Sequence, residues 1–402
     1  MPPRLAILGA GPIGLEMALA ARAAGLDVCV YEKGRIAEHV QRWGHVSLFT
    51  PFGMNVTAAG RRAIQADFPH HTWPDDGQRV TGKEMVERYW MPLAKTALLR
   101  DAIHTECEVV AVARRQYLKE DLPGNPRRAS APFRLLLRHK GKETEAEADI
   151  VCDCTGTYGQ HRWLGEGGAP ALGESAIEGQ IAYGLADILG ADRDHYAGRT
   201  VVVVGAGYSA ATSVCALAEL AKNYPQTWIV WLARQSRTPP LPRFLNDPLP
   251  ARDRLAQEAN YYASRSDGPV EFYAGSQVVQ VDSLGPDRGF RVIARVGHKL
   301  RTWEVDRIVA NVGYTPDNRL YRELQVHECY ATLGPMRLAA HLLQSANEDC
   351  LQHRSLGPDL LRSPEPNFFI LGSKSFGRRS DFLLQTGFAQ IAQVMQMIQE
   401  KL

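Results

Sequence analysis

The chain has 402 residues, of which 45% are hydrophobic and 22% charged, a length and composition typical of a globular protein of about two or three domains. Its net charge of +2 provides no strong acidic or basic field, which argues against a nucleic-acid or acidic-membrane partner. No apolar run approaches the roughly 20 residues that span a bilayer, and residues 4–8 already have the pattern of a core strand. We therefore expect no membrane span, no signal peptide and a cytoplasmic location.

The first elements along the chain are a strand over residues 5–8, a glycine fingerprint and a helix over residues 15–24. The fingerprint has glycines at Gly9, Gly11 and Gly14. The first makes the tight strand-to-helix turn, the second lets a pyrophosphate approach the backbone, and the third lets helix pack on strand. The next strand, over residues 28–31, ends at Glu32. A carboxylate there accepts hydrogen bonds from a ribose diol and repels a 2′-phosphate, so the site is predicted to hold FAD or NAD.

A β-rich stretch follows, in which residues 108–113 and 134–138 form a small meander that contains Val109, a candidate FAD contact. The next predicted strand covers residues 148–154 and is followed by Thr155 and Gly156. In flavoproteins, the chain comes back to the bound FAD at a strand end of this kind. Cys152 and Cys154 lie on this strand as alternate residues whose side chains point the same way. We expect buried packing for this pair, with a redox or metal role as the alternative.

Seven cysteines occur in all, and an odd, dispersed set of this kind fits a reducing compartment. They are Cys29, Cys107, Cys152, Cys154, Cys215, Cys329 and Cys350. Neither they nor the 12 histidines show the spacing of metal ligands, so no metal site is predicted.

A second fingerprint follows a valine-rich strand over residues 199–204. It consists of Gly205, Gly207, Ser209 and Ala210, and it opens a helix over residues 209–221. The next strand ends at Arg234, where the first site has its acid. A guanidinium there can pair with a 2′-phosphate, with Arg237 within reach, so NADPH is favoured over NADH. The alternative is a solvated arginine.

The second half repeats the plan of the first. Residues 277–281 and 290–295 form another meander, and residues 308–316 repeat the pattern of a strand followed by glycine. Near the C-terminus, a strand over residues 367–371 leads to Gly372 and Ser373, and Gly387 lies where the last helix begins. The amides of that helix end are expected to face a flavin carbonyl. Lys374 and Arg378 are candidates to bind an anionic substrate or the flavin phosphate.

These elements predict an α/β protein with two Rossmann-like doubly wound domains, the NADPH domain inserted into the FAD domain. The predicted boundaries are residues 1–170 for the first part of the FAD domain, 171–309 for the NADPH domain and 310–402 for the rest of the FAD domain. The proline-rich residues 238–248 are expected to cover a ligand or to be a plain surface connection.

At this point the whole chain resembles the flavoproteins with two dinucleotide-binding domains, such as flavin-containing monooxygenases, N-hydroxylating monooxygenases and thioredoxin-reductase-like enzymes. Residues 41–51 and 80–89 look most like bacterial flavin-containing monooxygenases. By that resemblance His45, Ser47 and Thr50 line the flavin face. Two features depart from the relatives: the Phe-x-Gly-x-x-x-His signature ahead of the second fingerprint is absent, and no C-x-x-C follows it.

The resemblance implies that NADPH reduces FAD, that O₂ adds at the flavin C4a position and that the resulting (hydro)peroxyflavin oxygenates a small molecule. One alternative is a reductase that passes electrons to a quinone, a disulfide or a small redox protein. Another is a nucleotide-binding flavoprotein with negligible turnover. The expected partners are a small-molecule substrate and O₂, with a homodimer possible.

Overall fold

A computed structural model describes residues 2–244, 246–344, 351 and 357–400, so that Cys350 lies outside the described residues. The chain forms two compact units. The first unit comprises Met1–Gln160 and Tyr314–Leu402, and the second comprises His161–Gly313. The second unit is thus inserted into the first. The boundaries lie after residues 160 and 313, whereas the sequence predicts them after residues 170 and 309.

The strands in chain order are β1 (Arg4–Leu8), β2 (Asp27–Tyr31), β3 (Ile103–His104), β4 (Cys107–Arg114), β5 (Phe133–His139), β6 (Lys142–Ala148), β7 (Ile150–Asp153), β8 (Ala182–Tyr183), β9 (Thr200–Val204), β10 (Trp228–Ala233), β11 (Val270–Ala274), β12 (Ser276–Ser283), β13 (Phe290–Val296), β14 (Lys299–Val305), β15 (Arg307–Ala310) and β16 (Phe368–Ile370). The α-helices are α1 (Pro12–Ala23), α2 (Glu38–Arg42), α3 (Ala58–Asp67), α4 (Gly82–Met85), α5 (Met91–Ala94), α6 (Arg193–Tyr196), α7 (Tyr208–Asn223), α8 (Pro250–Ser264), α9 (Met336–Gln344) and α10 (Leu384–Gln399).

The first unit is built on a parallel five-stranded sheet in the order β16-β7-β1-β2-β3. Both faces of β1 are buried, as its apolar run predicts. Leu5 and Ile7 pack in the same core as α1 and α10, whereas Ala6 and Leu8 pack in a core with β4 and β5. Helices therefore cover one face of the sheet and a small antiparallel sheet covers the other.

The second unit repeats this arrangement with a parallel sheet in the order β11-β10-β9-β15-β8. Val201 and Val203 of β9 belong to the core that contains α7, and Val202 belongs to the core that contains β12 and β13. Alternate valines of β9 thus point into the two cores on opposite faces of the sheet. The prediction of an α/β protein with two Rossmann-like domains is confirmed.

Each unit also carries the predicted meander, as the antiparallel sheets β4-β5-β6 and β12-β13-β14. The pairing of each first strand with its neighbour is interrupted by an irregularity, between Val109 and Ala111 in β4 and between Val278 and Gln280 in β12. A bulge at the same place in both meanders supports the internal duplication.

None of the helices that the structure describes is both long and apolar enough to cross a membrane. Likewise, within the described ranges, no three His, Cys, Asp or Glu side chains are grouped so that they could hold a metal ion.

Candidate functional site

The first fingerprint lies at the carboxyl end of β1, where the strand order of the sheet reverses between β1 and β7, the position at which open α/β sheets bind ligands. Gly9 has a φ of +96°, and a Cβ there would lie 3.0 Å from the Cys154 carbonyl oxygen. A Cβ on Gly14 would lie 1.9 Å from the Gly9 carbonyl oxygen. Gly11, in contrast, faces open space, because nothing lies within 4 Å of its Cβ position. The outer glycines are thus required by the fold, and the middle one leaves room for a ligand.

The N-terminus of α1 at this turn is suited to a phosphate group. Gly11 is its N-cap residue, no side chain caps the helix end, and no acidic residue lies in the first turn. The Glu32 carboxylate is adjacent, because it accepts hydrogen bonds of 2.8 Å from the backbone amides of both Ala10 and Gly34. A carboxylate offers about four acceptor sites, so Glu32 retains capacity for hydroxyl donors.

The second fingerprint has the same geometry within the second unit. Gly205 has a φ of +143°, and a Cβ there would lie 2.3 Å from the Asn311 carbonyl oxygen. Nothing lies within 4 Å of the Cβ position of Gly207, the N-cap of α7, and that helix end also lacks a side-chain cap and a first-turn acid. Ser209 is exposed and Ala210 is buried. The Asn311 carbonyl therefore restricts the space beside Gly205 in the same way as the Cys154 carbonyl restricts the space beside Gly9.

The two units differ at the residue that follows the second strand of the sheet. Arg234 comes directly after β10 and is exposed, whereas the equivalent Glu32 after β2 is hydrogen-bonded to the backbone. Arg237 is also exposed, and its guanidinium donates to the Pro240 carbonyl. The first turn therefore has a carboxylate beside it, from Glu32, and the second has two arginines, Arg234 and Arg237.

The chain returns to the first turn at the two places that the sequence predicted. Gly156, with a φ of +69°, has its Cβ position 3.4 Å from Ser373 Oγ. The Cβ position of Gly9 is 3.2 Å from Thr155 Cα. The segments after β7 and β16 thus lie side by side at the carboxyl edge of the sheet.

The beginning of α10 also reaches this edge. A Cβ on Gly387 would lie 2.3 Å from Ile13 Cδ1, and a Cβ on Gly372 would lie 3.2 Å from Ile13 Cγ1. Gln390 in the next turn of α10 accepts a hydrogen bond of 2.9 Å from the Gly372 amide. The N-termini of α1 and α10 therefore meet at one place, which the sequence could suggest only through the position of Gly387.

The three residues predicted to line a flavin face have different surroundings. His45 and Ser47 are exposed, and Ser47 pairs with Thr81 in an antiparallel bridge. Thr50 is buried, and its hydroxyl donates to Asn55 Oδ1 at 3.0 Å. The Thr50 hydroxyl is thus committed to its own loop as a donor, and His45 and Ser47 remain accessible. Val109 is partly buried and packs against the core that contains Ala6 and Leu8 of β1. It lies on β4 two residues after Cys107, and the Cys107 amide donates to the Glu32 carbonyl at 2.8 Å.

An aromatic cluster lies next to the segment of His45. The ring of Tyr158, which is 44% exposed, has its centroid 6.5 Å from Trp43, 6.0 Å from His39 and 4.7 Å from Tyr314. Burial, assisted by the charges of Arg42 and Lys33, lowers the pKa of His39 to about 4. Trp43 Nε1 is buried without a hydrogen-bond partner, so this edge of the first unit holds a donor that protein atoms leave unused.

The six cysteines that the structure describes are not joined in disulfides. Cys152 and Cys154 are buried, with 0% and 9% of their surface exposed, and burial raises the pKa of both thiols. They are therefore thiols rather than thiolates at neutral pH, as expected for packing residues.

The prediction that Lys374 binds an anionic substrate or the flavin phosphate is wrong. Its side chain is fully buried, and its ammonium donates to Asp153 Oδ2 at 2.6 Å and to Thr155 Oγ1 at 3.0 Å. The sequence contains one signal for this ion pair: Asp153 lies at the end of the apolar strand β7. A buried carboxylate requires a partner, so a nearby cation could have been expected to pair with it. Arg378, the other candidate, is exposed.

Residues 6–119 match the family model of pyridine nucleotide-disulphide oxidoreductases. No curated protein sequence matches the chain.

Solved structures are similar over the whole chain at low identity. Bacillithiol disulfide reductase Bdr (YpdA) from Bacillus cereus has a TM-score of 0.68 and 17% identity, with 100% of both chains covered. DfoA, the cadaverine monooxygenase of desferrioxamine biosynthesis from Erwinia amylovora, bound to FAD, has a TM-score of 0.64 and 13% identity, with 100% of this chain and 95% of that chain covered. The ornithine N-hydroxylase KtzI from Kutzneria sp. 744, with reduced FAD, NADP⁺ and L-ornithine, has a TM-score of 0.61 and 16% identity, with 99% and 100% covered. The chain thus has the fold of the flavoproteins with two dinucleotide-binding domains, which is shared by thioredoxin-reductase-like enzymes and N-hydroxylating monooxygenases.

Proposed function

We propose that the protein is an NADPH-dependent FAD oxidoreductase, with FAD in the first unit and NADPH in the second. The observation that carries this proposal is the pair of equivalent turns that differ in one charge. Glu32 follows the second strand in the first unit and Arg234 follows it in the second. A carboxylate favours a ribose diol and disfavours a 2′-phosphate, whereas a guanidinium favours the 2′-phosphate.

Features of the chain fit both dinucleotides. The space beside Gly11 and Gly207 gives a pyrophosphate access to the uncapped helix ends of α1 and α7. Glu32 would accept from ribose hydroxyls while its present bonds to Ala10 and Gly34 hold it in place. The N-terminus of α10 would favour negative charge on a reduced ring system. When bound, FAD supplies the chemistry of accepting a hydride from NADPH and delivering electrons to a second substrate.

The acceptor we propose first is O₂, with one oxygen atom transferred to a small molecule. In this reaction NADPH, a proton, O₂ and the substrate give NADP⁺, water and the oxygenated substrate. No nucleophilic side chain is required, and the protein must position the substrate and exclude water. Cys152 and Cys154 are buried thiols with raised pKa and are unsuited to act as an internal dithiol relay, which argues against a reductase that works through such a relay.

Reduction of an external disulfide is a second candidate, favoured by the similarity to a bacillithiol disulfide reductase over the full length of both chains. Here NADPH, a proton and the disulfide give NADP⁺ and two thiols. This reaction needs no internal dithiol if electrons pass directly from the flavin to the bound disulfide.

A stopped-flow experiment separates the two candidates. The FAD-loaded protein is reduced without oxygen by one equivalent of NADPH and then mixed either with O₂ and a panel of amines and sulfides, or anaerobically with small disulfides or quinones. The oxygenase predicts a delayed return of oxidised-flavin absorbance with O₂ and less peroxide than NADPH consumed. Immediate reoxidation with stoichiometric peroxide would eliminate it, and fast anaerobic reoxidation by a disulfide would establish the second candidate. A protein that cannot be loaded with FAD would refute the whole proposal.

A further inference from the structure

A buried ion pair joins the two chain segments that return to the first glycine turn. Lys374 lies in the short 3-10 helix Gly372–Phe376 that follows β16, and Asp153 is the last residue of β7. Both side chains are 0% exposed, and Lys374 Nζ lies 2.6 Å from Asp153 Oδ2. A charge pair placed so deeply costs desolvation free energy and is a weak source of stability, so its presence needs another explanation.

The hydrogen bonds of the pair converge on Thr155. Asp153 Oδ1 accepts from the Thr155 hydroxyl at 2.7 Å and from the Thr155 amide at 3.1 Å. The Thr155 hydroxyl in turn accepts from Lys374 Nζ at 3.0 Å, and the ammonium lies 5.0 Å from the ring centroid of Tyr321. The backbone of Thr155 is thereby held by the pair at the point where β7 ends.

A second set of hydrogen bonds holds the residues on either side of Lys374. Ser375 Oγ donates to the Gly372 carbonyl at 2.7 Å, and Gln390 Nε2 of α10 donates to Ser375 Oγ at 2.9 Å. Gly372 is followed by Ser373, whose hydroxyl oxygen lies 3.4 Å from the Cβ position of Gly156. The two sets of hydrogen bonds thus hold the Thr155–Gly156 and Gly372–Ser373 segments, which lie side by side at the carboxyl edge of the first sheet.

We propose that Lys374 and Asp153 are positioning residues for FAD: they fix the Thr155–Gly156 and Gly372–Ser373 segments against each other in the geometry that the cofactor requires. This inference rests on the proposed function, since it assumes that FAD occupies the first unit. It also assigns Lys374 an indirect role, because its ammonium is already bonded to Asp153 and Thr155 and faces an aromatic ring.

The test uses the full chain and measures the Kd for FAD by quenching of flavin fluorescence, together with visible circular dichroism of the bound flavin. Lys374→Met breaks the pair. Lys374→Met combined with Asp153→Leu replaces it by apolar side chains, a change that is often neutral for stability. Thr155→Val keeps both the pair and the shape of the site, so it should fold even if the others do not, and removes only the hydroxyl that connects them. Arg114→Met is the matched control, because Arg114 is also fully buried in an ion pair but donates to the Pro366 carbonyl at the opposite end of β16.

We expect the double variant to fold and to bind FAD about 10- to 100-fold more weakly than the wild type, because the charge-assisted hydrogen bonds that hold Thr155 are lost. For Thr155→Val we expect a rise in Kd of about 5- to 10-fold. The flavin dichroism of both should change, and the folded fraction of Arg114→Met should bind FAD as the wild type does. Wild-type Kd and dichroism in the double variant or in Thr155→Val would overturn the inference. Failure of the wild type itself to bind FAD would instead overturn the proposed function.

Discussion

The glycines of each turn, three in the first and two in the second, perform different tasks. A side chain at Gly9 or Gly14 would collide with backbone atoms, whereas one at Gly11 or Gly207 would meet no protein atom within 4 Å. The φ values of Gly11 and Gly207, −80° and −94°, are also accessible to alanine. No protein atom thus requires glycine at the middle position, which is consistent with the proposal that a pyrophosphate approaches the backbone there.

Gly11→Ala and Gly207→Ala test this at single-atom scale. Each variant should unfold at wild-type urea concentrations, because the new methyl group meets open space. Gly11→Ala should raise the Kd for FAD by about tenfold or more without affecting NADPH, and Gly207→Ala should do the reverse, because the methyl group obstructs the approach of a pyrophosphate. Gly14→Ala serves as a contrasting control that should be destabilised. Equal binding by all variants would show that neither turn holds a dinucleotide.

His39 makes the stability of the first unit depend on pH. Its pKa is lowered to about 4, mainly by burial, so the neutral form is favoured in the folded protein, with Arg42 and Lys33 acting in the same direction and Glu38 opposing. The unfolded chain binds the proton near pH 6.5, so the contribution is complete above that pH and is lost as the pH falls from 6.5 towards 4.

The expected result is a smaller loss of unfolding free energy between pH 6.5 and 4 for His39→Phe than for the wild type, measured by urea titration at several pH values. His70→Gln, at an exposed site, should follow the wild type. Identical slopes for all three proteins would contradict the shifted pKa, which NMR titration of the His39 ring can check directly.

At the scale of elements, periodicity and glycine placement predicted strands β1, β2, β7 and β16 of the first parallel sheet and β9, β10 and β15 of the second, together with the helices that follow the two glycine turns. They did not predict the remaining strands of these sheets, β3, β8 and β11. The helix predicted over residues 15–24 is observed as Pro12–Ala23, because proline is favoured at the first helical position and the helix begins directly at the glycine turn. What local patterns could not predict is which face of each sheet the meanders cover. That depends on residues far apart in the chain, such as Leu8 and Phe133, which pack in the same core.

A buried triad attaches the irregular segment after β4 to the C-terminal part of the first unit. Glu365 accepts from Arg114 Nε at 2.9 Å and from Arg128 Nη2 at 3.0 Å, and all three side chains are fully buried. Glu365→Gln leaves two buried guanidinium groups without a counter-charge, so we expect a loss of about 3–5 kcal/mol in unfolding free energy. Glu145 also bridges two arginines, Arg115 and Arg134, but at the surface. Glu145→Gln should therefore have little effect, and similar losses in both variants would refute the argument from burial.

At the scale of the whole molecule, the proposed assignment of FAD to the first unit and NADPH to the second rests on Glu32 and Arg234. Arg234→Ser should raise the KM for NADPH by about tenfold or more and leave that for NADH nearly unchanged, because a charge-assisted contact to the 2′-phosphate is lost. Glu32→Ala should weaken FAD binding and leave the coenzyme preference intact. Steady-state kinetics with both coenzymes measure this, and an unchanged NADPH to NADH ratio in Arg234→Ser would show that the arginine is merely solvated.

The candidate site was predictable to different degrees for physical reasons. The fingerprints, Glu32 and Arg234 follow from short local motifs, in which a turn or a strand end dictates the residue type. Lys374 was misassigned because a lysine in a loop sequence is usually exposed, and only the fold brings Asp153 to it from more than two hundred residues away. Trp43 likewise has an indole nitrogen without a partner for reasons of packing that its neighbours in sequence do not reveal.

The amino-acid sequence by itself determined the duplicated α/β plan, the insertion of one unit into the other and the opposite charges at the two turns, because each is written in local patterns of glycine, strand period and strand-end residue. Only the tertiary structure decided which polar groups remain available for a ligand. Lys374, Thr50, Cys152 and Cys154 lose that availability through burial or hydrogen bonding, whereas the backbone at Gly11 and Gly207 faces open space. Availability depends on desolvation and on contacts between distant segments, which no local pattern encodes.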